Sequence, residues 1–426
     1  MQSLIICSTE YDDSLPIITL AGQMPYYHKV LINPSVDMQY HLGGYGQRYE
    51  EAIIRYVGEG IERYSLMVSQ YTMSSQFKYA TYNQIKEEGE VIPFEYLNVH
   101  SEEDYGKLIQ NSKSKIIKPL TKDDTLGWIQ CPSLFNKNRK IWVPLQMLFT
   151  GYVINRSENE QRFIVGFSKG TASHRSEDKA LLSALLEFIE IDACILNWYT
   201  KRKSPEIIID DPLLHRQFPK LFSEQSKYDI LPLDLTVLDG LGVNVIGTQL
   251  INKKEERPYI VYGAHAGLDP AKCFYRNFME TLSITFMAVY GPLHSPDEYV
   301  SYSGIQNFTD LDTNVAYYAH PHDSKRKKEI IYDMVEGSKK LSDMKDFSSG
   351  ESNQDLVNLL SGLQEISNYG VYLDVTPPEA KERGWHVMRV FIPELLTMCL
   401  PGIPYSNHPR ILEYGGVKNS YPHPLP

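Results

Sequence analysis

The chain has 426 residues, of which 42% are hydrophobic and 22% charged, an ordinary globular composition with ample apolar material for a large core. Its formal net charge of −11 argues against a nucleic-acid partner held by phosphate contacts. Five dispersed cysteines without CxxC pairs fit a reducing, cytoplasmic compartment. The sequence has neither a signal peptide nor a stretch long and apolar enough to span a membrane.

Short apolar runs in the first forty residues predict strands at 5–7, 17–20 and 29–32. The glycines at positions 43, 44 and 46 predict a loop before a helix over residues 49–66. Such a loop either brings backbone close to a phosphate or is a plain turn. Mixed α/β structure is predicted over residues 83–160, with strands at 116–120, 128–131 and 141–145.

The second half repeats the order strand, loop, helix. A strand at 162–167 and a polar loop at 168–176 precede an apolar helix over 179–198, which belongs inside a core. Two strands, at 243–250 and 259–265, likewise precede a helix over 272–283. The polar stretch 296–356, with its basic run at 324–329, predicts solvated surface and loop. Two further strands are predicted at 371–376 and 385–392.

Prolines recur after residue 393 and forbid regular helix or sheet there. By itself, the ending PHPLP predicts a disordered tail. Alternating prolines, however, favour an extended polyproline conformation that costs little entropy to dock.

Glutamates recur at the same helical phase in three of the predicted helices. They are Glu59, Glu62, Glu187, Glu190 and Glu280, hereafter the five glutamates. The first two pairs are i, i+3 neighbours, so both carboxylates project from one helix face. Burying like charges is costly unless a cation or a donor answers them. A pair satisfied by a core arginine is the simpler interpretation, but the recurrence favours acids that converge from three helices.

Such a pocket is too acidic to hold an anion directly, even with Arg63 and Arg276 among the glutamates. It suits Mg2+ ions, which bind carboxylates and the oxygens of a polyphosphate, and the arginines would then meet phosphate oxygens. The chain contains no GxxxxGK[ST] and no GxGxxG motif. Arg175, before the central helix, is either a phosphate contact or an ordinary surface charge.

Four motifs, in order, resemble those of the YcaO family. GFSKGTASHRSEDKALLSALLEFIEIDA resembles the family's central signature, and GEGIERYS resembles its earlier ExxER motif. GAHAGLDPAKCFYRNFMETL resembles the third motif, an arginine and a glutamate four apart. The ending PHPLP fits the PxPxP terminus of the azoline-forming members. The resemblance extends from about Gly43 to Pro426.

The resemblance implies the family's own α/β fold: one large catalytic domain over residues 1–426, with mixed sheets and helices around a central site for ATP and Mg2+. Residues 1–80 would carry the first acid motif, residues 81–160 an α/β subdomain, and residues 161–426 the other motifs and the tail. Carried over by position, the metal ligands are the five glutamates. The ATP-binding residues are Arg63, Arg175, Arg276, Asn277, Glu59 and Glu187.

The implied function is ATP-dependent cyclodehydration of a ribosomal precursor peptide, as in thiazole/oxazole-modified microcins and other bacteriocins. A Cys, Ser or Thr side chain attacks the preceding amide carbonyl, whose oxygen is phosphorylated and eliminated to give thiazoline or oxazoline. The terminal carboxylate of Pro426 is a candidate base. Alternatives are a thioamide- or amidine-forming member and a non-catalytic nucleotide-binding scaffold.

The sequence departs from the family pattern at three positions. Ile191 stands where an arginine usually follows the second acid pair, Lys179 where an acid is expected, and Ser283 where glutamine is frequent. These departures leave the number of metal ions open. Because the chain begins with family-like material, we expect a separate partner protein to bind the leader of the precursor peptide. A flavin-dependent dehydrogenase acting afterwards and a homodimer are left open; no nucleic acid or membrane is expected as a partner.

Overall fold

Strands in the described part of the chain form four sheets. The computed structural model describes residues 4–8, 17–23, 41–110, 115–294, 308 and 311–426. The strands are β1 Leu4–Ser8, β2 Ile18–Gln23, β3 His41–Gly46, β4 Lys78–Thr81, β5 Thr125–Pro132, β6 Lys140–Pro144, β7 Thr171–His174, β8 Ser204–Ile208, β9 Tyr228–Asp234, β10 Asn244–Asn252, β11 Ile260–Gly267, β12 Val335–Lys340, β13 Val371–Asp374 and β14 His386–Phe391.

The α-helices vary in length from a single turn to more than six turns. They are α1 Tyr49–Thr72, α2 Tyr82–Glu88, α3 Glu102–Gln110, α4 Leu145–Leu148, α5 Glu177–Thr200, α6 Pro212–Gln217, α7 Pro270–His294, α8 Leu311–Ala319, α9 Ser324–Tyr332, α10 Ser352–Gln364, α11 Pro378–Lys381 and α12 Pro409–Glu413. This mixture of helices and sheets confirms the predicted α/β class. Among the described residues, no helix has the length and apolar composition needed to cross a bilayer.

The largest sheet has the strand order β11-β10-β9-β8-β12. Its pairs are antiparallel except β12 with β8, which is parallel. The long helix α7 packs on β10 and β11 of this sheet. The other sheets, each of three strands, have the orders β1-β2-β3, β13-β14-β7 and β4-β5-β6.

Helix α5 lies at the centre of the fold, as its apolar sequence predicts. Every side chain from Phe188 to Thr200 is buried. The helix contacts β14 and β7 on one side and β11 on another, so it joins the large sheet to a small one. A helix that is apolar on every face can bury all of its side chains only between such layers.

The prediction of a loop at glycines 43, 44 and 46 is wrong. These glycines belong to strand β3. Strand β3 lies directly against α1. A Cβ on Gly44 would stand 2.3 Å from the Ala52 carbonyl oxygen and 2.6 Å from the Tyr56 nitrogen. Glycine is therefore required here for close approach of a strand to a helix and not for a turn.

The strand predicted at 162–167 is absent, because a side chain takes the backbone groups that a neighbouring strand would otherwise bond. The Gln146 amide donates to the Gln161 carbonyl at 2.7 Å and accepts from the Phe163 N–H at 3.2 Å. A Cβ on Gly166 would lie 2.5 Å from the Gln146 carbonyl oxygen, so the segment presses against α4. The predicted loop 168–176 in turn contains β7, which pairs with β14.

The strand predicted at 116–120 is also absent. Pro119 has no N–H to donate, and the Leu120 N–H donates to the Tyr105 hydroxyl at 3.4 Å. Within the polar stretch predicted as loop, residues 324–329 begin helix α9 and Ser352 begins α10. The strand predicted at 29–32 lies outside the described residues.

The tail after β14 is ordered against the core and not disordered. The prediction that its prolines forbid regular helix is wrong at α12, where Pro409 stands in the first turn and so needs no N–H partner. The Asn314 side chain on α8 donates to the carbonyls of His423 and Leu425 at 2.7 and 2.6 Å. The Tyr318 hydroxyl donates to the Pro422 carbonyl at 2.7 Å. Donors from α8 thus satisfy carbonyls that alternating prolines leave without a ladder partner.

Candidate functional site

Helix α1 contributes the first acid pair. The N–H of Gly43 on β3 donates to Glu59 Oε2 at 2.8 Å, so the strand that presses on α1 also orients this carboxylate. Arg63, one turn further along α1, lies 3.3 Å from Glu59 and 3.5 Å from Glu62. The arginine predicted to contact ATP is therefore held by both acids of its own motif.

Helix α5 contributes the second pair from its buried middle. Backbone N–H groups of Gly170 and Thr171 donate to Glu187 Oε2 at 2.7 and 3.3 Å. Glu190 accepts from the Ala266 N–H of β11 at 3.2 Å. The backbone of β7 and of β11 thus points donors at the acids, which partly compensates their burial.

Helix α7 contributes Glu280, which accepts a hydrogen bond from the Tyr45 hydroxyl of β3 at 3.4 Å. Burial and then the neighbouring carboxylates raise the pKa values of three acids, Glu62, Glu190 and Glu280. The neighbours that act on Glu280 include Glu187 of α5 and Glu59 of α1. The structure therefore brings the five glutamates together from three helices.

Lys169 lies among these acids and was not singled out by sequence reasoning. Its Nζ is 3.4 Å from Glu187 Oε1 and 3.8 Å from Glu190 Oε1. Burial opposes its charge, but the carboxylates of Glu187, Glu190 and Glu280 hold its pKa above the ordinary value. In the sequence, a lysine in a polar loop has the pattern of a solvated surface charge, so composition gave no signal.

Cationic and imidazole groups lie near the acid cluster, and the His265 Nδ1 is 3.7 Å from Glu190 Oε2. Arg276 is exposed, and its charge reaches His174 and His265. Burial, then Arg276 and Lys169, lowers the pKa of His265 to about 3. Burial, then Lys179 and Arg276, lowers the pKa of His174. Both imidazoles are therefore neutral and do not compete for an anion. The exposed Arg276 guanidinium is the group here that can meet an anionic ligand.

Asn277 lies fully buried beside Arg276 on α7. Its Oδ1 accepts a hydrogen bond from the Thr248 hydroxyl of β10, and its Nδ2 has no hydrogen-bond partner among the described residues. A buried unpaired amide N–H costs free energy unless a water or a ligand answers it.

Two predicted site residues have no described contact with the five glutamates. The exposed Arg175 stacks 4.2 Å from the centre of the Trp385 ring and donates to the Arg383 carbonyl. Pro426 ends the tail docked on α8. Their roles as ATP contact and base stay predictions, as do the metal and ATP roles of the other site residues.

The departures from the motif pattern have distinct structural settings. Ile191 is 1% exposed and packs in the main core, where an arginine would have to be buried. Lys179 is exposed at the start of α5, with its charge near His174. The Ser283 hydroxyl donates to the Glu280 carbonyl at 2.7 Å, within α7.

The donor set fits Mg2+ in its chemistry, because carboxylates raised in pKa by burial and mutual repulsion favour a bound cation. Exposed Arg276 and the unpaired Asn277 amide fit the oxygens of a nucleotide. Within the described ranges, however, no three His, Cys, Asp or Glu side chains form a ready metal site. Lys169 lies beside Glu187 and Glu190, two of the five glutamates.

Residues 43–396 match the model of the YcaO family, described as YcaO cyclodehydratase, ATP- and Mg2+-binding. No curated protein gives a significant sequence match. The fold resembles YcaO from Methanopyrus kandleri bound with AMPPCP and Mg2+, with a TM-score of 0.62, 16% identity, and coverage of 92% of this chain and 85% of that chain. These findings confirm the predicted resemblance, fold and cofactors.

Two further solved structures are similar. A heterocyclase in complex with substrate and cofactor has a TM-score of 0.73 and 18% identity over 100% of this chain and 55% of its own. The chain thus spans about half the length of that heterocyclase. The E. coli microcin synthetase McbBCD complex with pro-MccB17 bound contains a chain matched over 99% of this chain and 96% of its own, with a TM-score of 0.64 and 17% identity. At such identities the similarity shows the fold.

Proposed function

Because the chain belongs to the YcaO family, we propose that it is an ATP-dependent peptide cyclodehydratase that forms thiazoline or oxazoline from Cys, Ser or Thr of a ribosomal precursor peptide. The observation that carries the proposal is the convergence of the five glutamates from α1, α5 and α7 inside the family-matched region. Support for azoline formation in particular comes from the PHPLP ending and its docked tail.

ATP with Mg2+ supplies the phosphoryl group that turns the amide oxygen into a leaving group, so that ring closure releases ADP and phosphate. In this chain the five glutamates would hold the metal, and Arg276 would meet phosphate oxygens from its exposed position on α7. Asn277 offers its unpaired Nδ2 as a donor to the nucleotide. Arg63 pairs with Glu59 and Glu62 and lowers the net negative charge that these two carboxylates would present to a metal ion.

The Pro426 carboxylate serves as base in this proposal. It removes a proton from the attacking side chain or from the amide nitrogen as the ring closes. Asn314 and Tyr318 hold the tail that bears it in place, so little entropy is lost when its carboxylate acts as base. Arg175 would contact the nucleotide after leaving the Trp385 ring.

A precursor peptide and a separate leader-binding protein are the proposed partners. The microcin synthetase to which this chain is similar is a complex solved with pro-MccB17 bound, which supports a peptide substrate and partner chains. A flavin-dependent dehydrogenase would oxidise the azolines in a later step. We place the assembly in the cytoplasm, where buried Cys131, Cys194, Cys273 and Cys399 stay reduced.

A non-catalytic nucleotide-binding scaffold is the second candidate, and Lys169 among the acids is the observation that favours it. A resident cation could take the place of catalytic metal without supporting phosphoryl transfer. The docked PxPxP-type tail favours cyclodehydration over the thioamide and amidine alternatives.

The test is mass spectrometry of a Cys-containing precursor peptide incubated with the protein, ATP, Mg2+ and a leader-binding partner. Cyclodehydration predicts the loss of one water per ring and ATP hydrolysis that requires the Cys-containing peptide. A peptide with each Cys, Ser and Thr replaced by Ala is the control. Nucleotide binding without water loss or peptide-dependent hydrolysis would leave the scaffold as the function.

A further inference from the structure

The segment that carries Lys169 is held rigidly in place. The Arg389 guanidinium on β14 is 1% exposed, and its Nη1 donates to the Ser168 carbonyl at 2.9 Å and to the Lys169 carbonyl. Its Nη2 donates to the Met147 carbonyl at 3.0 Å. A buried guanidinium bonded to these carbonyls fixes the backbone from which the lysine side chain starts.

The next residue directs that side chain towards the acids. Gly170 has φ of +87°, a left-handed conformation, and its N–H donates to Glu187 at 2.7 Å. A Cβ at this position would stand 2.6 Å from the Phe188 ring. Only glycine fits at this position. The backbone at Gly170 thus contacts Glu187, the same acid that the side chain of Lys169 contacts.

The lysine ammonium competes for the oxygens that a metal ion would use. It lies 3.4 Å from Glu187 and 3.8 Å from Glu190, and its charge also acts on Glu62 and Glu280. It brings one positive charge, whereas a divalent ion brings two and requires several oxygens at close range. A fixed ammonium at this point repels a second cation and neutralises part of the charge that would attract it.

We propose that Lys169 is a resident cation of the acid cluster, which occupies the position between Glu187 and Glu190 that a divalent ion would otherwise fill. The site therefore takes up fewer Mg2+ ions than its glutamates could hold, and the acids keep their arrangement before nucleotide and metal arrive. The inference rests on the metal role proposed above. Arg389 acts as the positioning residue for this cation.

The experiment counts Mn2+ ions bound to the full chain, without nucleotide or peptide, from the electron paramagnetic resonance signal of free Mn2+. Lys169→Met should bind about one more Mn2+ per chain than the parent protein, or reach half-saturation at a concentration about tenfold lower. Lys169→Arg keeps the charge and should match the parent. The thermal midpoint of Lys169→Met should fall without Mn2+ and recover when Mn2+ is added, whereas the parent midpoint changes little.

Lys272→Met is the matched control, because this lysine lies near the start of α7 with a side chain 79% exposed and pairs with Asp269 on the surface. It should bind Mn2+ as the parent does. Equal Mn2+ uptake by Lys169→Met and the parent overturns the inference, and so does an unfolded Lys169→Met that Mn2+ does not rescue. Since no peptide is present, a failure of azoline formation leaves this result unaffected. Higher Mn2+ uptake by Lys169→Met, together with no water loss in the separate peptide assay, would refute only the proposed reaction.

Discussion

Arg410 fastens the C-terminal segment to α5 through a buried bidentate ion pair. Its Nε and Nη2 donate to the two carboxylate oxygens of Asp192 at 2.5 and 2.6 Å. The two side chains are only 7% and 1% exposed. The Leu396 N–H donates to the same carboxylate at 2.8 Å. Arg410→Met removes two charge-assisted hydrogen bonds and leaves the Asp192 charge with a single backbone donor.

A buried carboxylate that loses its partner typically costs about 3–5 kcal/mol, and we expect the free energy of unfolding of Arg410→Met to fall by that amount. The matched variant is Arg139→Met. Arg139 also makes a bidentate pair, with Glu90, but the two side chains are 29% and 39% exposed. Solvent screens that pair, so the expected loss is only about 0–1 kcal/mol.

The assay is urea unfolding monitored by tryptophan fluorescence and circular dichroism. The dependence of the free energy of unfolding on urea concentration, the m-value, is compared among the variants. Adding Asp192→Leu to Arg410→Met should restore much of the loss, because an apolar side chain carries no desolvation penalty. Similar losses for Arg410→Met and Arg139→Met would show that burial of the Asp192 charge does not set the effect. Such a result would refute the electrostatic reasoning applied to this core.

Three further perturbations test the packing, the titration and the tail. Gly44→Ala should lower the free energy of unfolding, measured in thermal melts, by about 1–3 kcal/mol, because its Cβ would meet the Ala52 carbonyl at 2.3 Å. Gly106→Ala, whose Cβ would meet no described atom within 4 Å outside its own helix backbone, should be neutral or stabilising in the same melts. Burial lowers the pKa of His423 to about 4 in the folded protein, so the unfolded chain binds the proton more readily and stability should fall as the pH drops from about 6.5 towards 4. His423→Gln should remove this contribution, so that the free energy of unfolding obtained from urea titrations changes by about 1.4 kcal/mol less per pH unit within that window. Deleting Pro426 should abolish ring formation while the thermal midpoint stays nearly unchanged; an unaffected rate would rule the carboxylate out as base.

Local sequence patterns predicted the elements that carry the site. The apolar periodicity of α1, α5 and α7 marked three helices, and the common phase of their glutamates predicted that the acids would meet. These signals are local, because helix periodicity and i, i+3 spacing are set within one turn. Element boundaries were less well predicted: α1 and α7 both extend past their predicted ends.

Errors arose where tertiary contacts override local preference. Glycines usually mark turns, but Gly44 belongs to a strand pressed onto α1. The apolar run at 162–167 has strand composition, yet the Gln146 side chain takes its backbone groups. Prolines in the tail indicated disorder, whereas Asn314 supplies the donors that hold its carbonyls. Gln146 lies 15 positions from Gln161, and Asn314 lies 109 positions from His423, so a reading of local sequence does not reveal these partners.

The sequence alone determined which residue types could form an acidic, nucleotide-competent site and on which helices they stand, because periodicity and motif order are properties of adjacent residues. The fold itself brings Lys169 to the acids and places Arg389 against its backbone, and no local pattern could reveal this, because the two residues stand 220 positions apart. A charge in a polar loop is indistinguishable in sequence from one in a buried cluster. The desolvation of Lys169, and the carboxylates that compensate for it, exist only once α1, α5 and α7 have packed together.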